Sequence, residues 1–157
     1  SRLILVEGAT EEIYINSLLQ RDLSLNNIRV ISIGQKGFKT FIGAWTYFHD
    51  TAQDKLGIVR DYDYQDQAKK DHEAYNSDAI KLKTSMGKEF EEDFITESSN
   101  LAKLNKLFIK KFSTQKMYDH MTSDKLNNII AVCRAMDEGV EFSIPDYISS
   151  LLEWIKR

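Results

Sequence analysis

The run Leu3-Ile4-Leu5-Val6 contains no polar residue, and this most constrains what the chain can fold into. A strand apolar on both sides must be buried on both faces, which is the pattern of a parallel sheet covered by helices. Leu56-Gly57-Ile58-Val59 repeats it, and Ile28 to Ile33 and Ala79 to Leu82 read as two further strands. Helical patterns lie between them. Glu11 to Asp22 places Ile13, Ile15, Leu18 and Leu19 at helical spacing, and Phe38 to His49 carries Phe41, Ala44, Trp45 and Phe48 on one stripe. This β-α-β-α-β order implies parallel strands joined by right-handed crossovers, and a polar segment from Asp66 to Tyr75, read as helical, leads to the fourth strand.

Beyond Lys88 the pattern is helical only, with helices expected over Glu89 to Glu97, Leu101 to Phe112, Asp124 to Asp137 and Pro145 to Lys156. Ser143 and Pro145 supply a cap and a first-turn proline for the last. The reading is an α/β core over residues 1–97 and a helical extension over 98–157 that completes the same domain. The chain enters a buried strand at once without an initiator methionine, so it is expected to be a piece of a longer protein.

With 157 residues, 42% hydrophobic and 29% charged, the composition is that of an ordinary globular domain. A single cysteine, Cys133, excludes an internal disulfide and a cysteine-rich zinc site, and it fits a cytoplasmic setting. His49, His72 and His120 are dispersed, without metal-ligand spacing. No apolar run approaches the roughly 20 residues of a membrane span. The net charge of −3 argues against a generic nucleic-acid coat while leaving room for a local basic face.

Acids follow two of the buried strands. Glu7 comes directly after Val6, Gly8 permits a tight turn, and Thr10 can cap a helix whose first turn holds Glu11 and Glu12. Asp61 and Asp63 follow the third strand two positions apart, so an extended backbone would point them the same way. Ligands of open α/β sheets bind at this carboxyl edge. If the first and third strands are neighbours, the four carboxylates converge, and a divalent cation relieves their repulsion. Oxygen-only ligands favour magnesium, manganese or calcium over zinc. The plainer alternative is a helix N-terminus and a solvated turn.

Val6-Glu7-Gly8-Ala9-Thr10-Glu11, followed by a hydrophobic strand ending Asp61-Tyr62-Asp63, resembles the Toprim domain of topoisomerases, bacterial primases and several nucleases. The paired glutamates are most similar to the overcoming-lysogenisation-defect (OLD) family nucleases and the related Gabija defence nuclease. The resemblance covers roughly residues 2 to 95. It implies a Toprim-like Rossmannoid parallel sheet flanked by helices, and a divalent-metal-dependent endodeoxyribonuclease that uses two Mg2+ or Mn2+ ions. It implies a role in antiviral defence, with DNA as substrate and an ATPase domain in the parent chain. A homo-oligomer is compatible with it.

The family's glutamate-rich helix start is matched by Lys88-Glu89-Phe90-Glu91-Glu92-Asp93-Phe94-Ile95, which adds Glu91 and Glu89 to the metal ligands Glu7, Glu11, Asp61 and Asp63. A late lysine that stabilises phosphate charge falls at Lys125, though no distinctive glycine flanks it. Two basic groups are candidates for DNA contact. Lys103, Lys106 and Lys110 are expected together on one face of the helix over 101–112, opposite its apolar stripe. Lys36 and Lys39 flank the Gly34 and Gly37 turn, whose spacing is not that of a P-loop. The rival readings are a Toprim domain of primase or topoisomerase type and a non-catalytic, receiver-like module that binds metal or a partner.

Overall fold

The computed structural model describes residues 1–34, 37–50 and 52–157. Four strands, β1 (Arg2–Val6), β2 (Ile28–Ser32), β3 (Lys55–Arg60) and β4 (Ile80–Thr84), form a parallel sheet in the order β2-β1-β3-β4. Among the described residues eight α-helices flank it, as an α/β Rossmann-like domain consistent with a Toprim fold: α1 (Ala9–Arg21), α2 (Phe38–Phe48), α3 (Asp66–Glu73), α4 (Phe90–Thr96), α5 (Asn100–Phe108), α6 (Thr114–Ser123), α7 (Lys125–Asp137) and α8 (Asp146–Ile155).

Alternate residues of the strands face different cores. Ile4, Val6 and Val59 pack with Tyr14, Phe90, Phe94, Ile148 and Leu151, whereas Leu5, Leu56, Ile58 and Leu82 pack with Phe38, Ile42 and Trp45. Both faces are apolar, which is why the runs carry no alternation. Gly57 lets α8 lie close on β3, since a Cβ there would come 3.1 Å from Leu151 Cδ1. The larger core draws Leu104, Met117, Ile129 and Ile148 from residues 98–157 and Ile4, Tyr14 and Phe94 from residues 1–97.

Three local expectations are corrected. Gly8 takes the N-cap position of α1, so Thr10 is buried inside the first turn rather than capping it. Pro145 precedes the first turn of α8, and its carbonyl accepts from Ile148 and Ser149. The helix expected to run to Phe112 stops at Phe108, where Ile109 turns left-handed (φ 56°). Asn105 fixes this break by bonding both the N–H and the carbonyl of Phe112, at 2.8 and 2.9 Å. Ser113 then caps α6 through Lys116 N–H at 3.3 Å. That helix is absent from the apolar pattern because only Met117 and Met121 of its residues are buried. Lys110 therefore lies outside α5 and does not share a helical face with Lys103 and Lys106; its ammonium sits over the Phe112 ring at 5.6 Å. Among the described residues no helix is long and apolar enough to cross a membrane.

Candidate metal centre

β1 and β3 are hydrogen-bonded neighbours with Val6 opposite Val59, so the residues that follow them leave the sheet side by side. Glu7, Asp61 and Asp63 each offer a carboxylate oxygen, and these atoms lie within 4.8 Å of one another. The route taken by Asp63 differs from the extended path expected. β3 ends at Arg60, and Asp63 (φ 48°) and Tyr64 (φ 56°) are both left-handed. Asp63 N–H donates to Lys88 O at 2.8 Å and Tyr62 N–H to Ser85 Oγ at 3.0 Å. A turn strapped to the 85–88 segment thus brings Asp63 back beside Asp61.

Three helix starts bring further charged groups near this triad, close enough for Glu11, Glu89 and Glu91 to interact electrostatically with Asp61. Glu11 lies buried in the first turn of α1, and a Cβ on Gly8 would sit 3.2 Å from its Oε2, so the glycine clears space for this carboxylate. Glu89 takes the N-cap position of α4 without a side-chain cap bond, Glu91 lies in its first turn, and Lys125 opens α7. Lys125 Nζ is 3.3 Å from Glu89 Oε2 and 3.9 Å from Glu91 Oε1. The Tyr118 hydroxyl donates to Glu89 Oε1. Glu89 is thereby engaged on both oxygens. Glu91 is only 1% exposed, and neither of its oxygens has a hydrogen-bond partner; Glu7 Oε2 is likewise buried and unpartnered.

The other two acids of this run serve the backbone. Asp93 accepts from Met86 N–H at 2.7 Å and Gly87 N–H at 2.6 Å, and Glu92 accepts from Lys88 N–H at 2.9 Å. Gly87 makes the close approach feasible, because a Cβ there would fall 2.7 Å from Glu92 Cδ.

Burial dominates the electrostatics. It raises Glu11 to about 8, with the charge of Asp61 adding to the shift. Burial also raises Glu91 to about 7, against the pull of Lys125. Glu7 is pushed up by burial and then by Asp61, and Asp61 is itself pushed up by burial, so a proton held between them relieves part of their repulsion. Buried carboxylates without partners cost free energy unless a cation or proton neutralises them. All-oxygen donors and orphaned buried oxygens fit a hard divalent cation.

Two residues here escaped sequence reasoning. Tyr118 lies on the unrecognised α6 and carries no signal of its own. Arg60, whose charge lowers Glu7, is 4% exposed with Nε and Nη1 unpartnered. A charged residue at the end of an apolar strand was its available signal. Of the basic candidates, Lys39 is exposed in the first turn of α2 and Lys36 lies outside the described residues. Lys103 Nζ donates to the Glu141 carbonyl, which leaves Lys106 as the exposed lysine of α5.

A parallel Rossmann-like sheet that gathers carboxylates from two adjacent strand ends and two helix starts defines a class of domains suited to divalent cations at the sheet's carboxyl edge. Residues 1–51 match the family described as Overcoming lysogenization defect protein-like, TOPRIM domain. Together with the four-stranded parallel sheet, this match supports a Toprim domain of the OLD family. The comparisons found no curated protein and no solved structure with a significant match to the chain. The matched segment contains Glu7 and Glu11 and ends before β3.

Proposed function

We propose that this chain is a metal-dependent DNA endonuclease, the nuclease domain of an OLD-type ATP-dependent defence protein. The carrying observation is the set of buried carboxylate oxygens, both of Glu91 and Oε2 of Glu7, that accept no hydrogen bond, at the sheet edge where Asp61 and Asp63 also converge. Toprim domains are associated with metal-dependent nucleic-acid enzymes of nuclease and primase type.

Glu7, Asp61 and Asp63 would hold one ion, and Glu11 and Glu91 would complete the set for a second. Bound Mg2+ or Mn2+ ions supply a lowered pKa for the attacking water and charge stabilisation at the leaving oxygen. The chain's own residues do the remainder. Gly8 keeps the Glu11 carboxylate free of contact with a side chain at position 8. Lys125, held by Glu89 and Glu91, places a positive charge beside the acids where a phosphate would enter. Glu89, occupied by Tyr118 and Lys125, orients the lysine in addition to any ligand role. Lys36, Lys39, Lys103, Lys106 and Lys110 are the candidates for backbone phosphate contact, with Lys39, Lys106 and Lys110 exposed.

The test is cleavage of supercoiled plasmid in magnesium, manganese, calcium or EDTA, with Glu7→Ala and Asp61→Ala purified identically. Metal-dependent nicking that both variants lose is the expected result. Absence of metal binding by calorimetry in the unaltered chain would overturn the shared acidic site.

A further inference from the structure

Beside the acidic centre lies a cavity of about 200 Å³, lined by Tyr64, Lys88, Glu92, Thr114, Gln115 and Tyr118. The chain path places it there. Asp63 precedes Tyr64, Lys88 precedes Glu89 and accepts from Asp63 N–H, and Tyr118 donates to Glu89. One wall is therefore built from the chain segments that hold the carboxylates.

Tyr64 is the unusual member. It is 65% exposed on a left-handed backbone that directly follows another left-handed non-glycine residue, a pairing most side chains avoid. Its neighbour Tyr62 is braced, with its hydroxyl donating to Asp66 and Lys69 Nζ 5.6 Å from its ring centre. Tyr62 meets Tyr64 edge to face, with ring centroids 5.6 Å apart. An exposed aromatic ring is thus fixed at the mouth of a small cavity next to the proposed reaction centre.

The cavity is smaller than the roughly 300–1,000 Å³ of a drug-sized ligand pocket, so it accepts a fragment the size of one heterocycle rather than a nucleotide or a peptide. Its rim offers a ring face at Tyr64, an exposed ammonium at Lys88 and an amide at Gln115. Gln115 Nε2 is committed to Asp119 Oδ1 at 3.0 Å, which leaves Oε1 to accept from a base amino group. Bases present a stacking face and a donor edge only when they are out of the duplex.

The geometry points to a subsite for one unpaired nucleobase of single-stranded DNA, stacked on Tyr64 with its phosphate led toward the acidic centre by Lys88. This rests on the nuclease reading and deepens it, since it makes single-stranded or locally unpaired DNA the preferred substrate.

The experiment is fluorescence anisotropy in calcium with a labelled single strand, the matching duplex and an abasic backbone of equal length. Unaltered chain, Tyr64→Ala and Tyr64→Phe are compared, and thermal melts confirm that the variants fold. The expected result is about tenfold weaker single-strand binding for Tyr64→Ala, the scale of one lost base–aromatic stack. Tyr64→Phe should restore binding, and duplex and abasic binding should be indifferent to Tyr64. Equal losses on all three ligands, or no loss on the single strand, would overturn the subsite. If the unaltered chain binds and nicks DNA without dependence on Tyr64, only the subsite falls. If it binds no DNA, the nuclease reading of the chain falls with it.

Discussion

Replacing Glu91 by glutamine should make the metal-free protein more stable at alkaline pH and remove much of its response to magnesium. Glu91 is 1% exposed, its two oxygens lack hydrogen-bond partners, and burial raises its pKa from 4.5 to about 7 despite Lys125 at 3.9 Å. A carboxyl whose folded pKa lies above its unfolded one binds more protons when folded, so stability is full below the unfolded value and falls as pH rises through the folded one. The loss accumulates between 4.5 and about 7. At about 1.4 kcal/mol per pH unit it amounts to roughly 3 kcal/mol.

Glutamine keeps the shape and removes the charge, but it brings an amide that must also be accommodated, so recovery of about 2 kcal/mol is expected. In a chain of this length that is a rise in melting temperature of about 4 to 8 °C. The assay is thermal unfolding in EDTA at about pH 8.5 and about pH 5, then with excess magnesium at the higher pH. Glu91→Gln should melt higher than the unaltered protein at about pH 8.5 and near it at about pH 5, and magnesium should reverse the order. Destabilisation by the same amount at both pH values would refute the reasoning, for it would make Glu91 a structural partner of its surroundings rather than a charge held for a cation.

Other outcomes follow from the same geometry. Because burial raises Glu11 to about 8 and Glu91 to about 7, magnesium should stabilise the protein more strongly as pH rises from about 6 to about 8. Its binding should release protons, visible as a buffer-dependent heat in calorimetry. Asp93→Ala removes the acceptor for Met86 and Gly87 N–H and should cost about 1–3 kcal/mol in denaturant unfolding, with metal response weakened as the 85–88 segment loosens. Gly57→Ala crowds Leu151 at 3.1 Å and should cost about 1–3 kcal/mol while leaving the magnesium-induced shift intact, which separates core damage from site damage. Lys125→Ala should leave metal-induced stabilisation in place while plasmid nicking falls at least tenfold, because a charge aimed at phosphate matters most in the transition state.

What was legible in the chain depended on which force fixed each residue. Glu7 and Asp61 were readable because each follows an apolar run buried on both faces, and strand pairing then dictates where the next residue emerges. Asp63 reached the same place by a different path, since its turn is set by Lys88 O and Ser85 Oγ, groups more than 20 residues away that no local pattern reports. α6 was hidden because its stability comes from a Ser113 cap and two buried methionines rather than a stripe.

The acids from Glu89 to Asp93 show the limit most sharply. Helical spacing would put Glu89 and Asp93 on one face, four residues apart. Glu89, however, is the extended N-cap (φ −157°), outside the helix where that spacing applies, and it turns to Tyr118 and Lys125. Asp93 turns to the backbone of the 85–88 segment, and Glu91, between them in sequence, is the acid left buried without a hydrogen-bond partner. A run of like charges can therefore announce a site, but its division into ligand, positioning group and strut is decided by what packs against the helix start. In this chain α6 and α7 make that decision for Glu89, through Tyr118 and Lys125, while the backbone of the 85–88 segment makes it for Glu92 and Asp93.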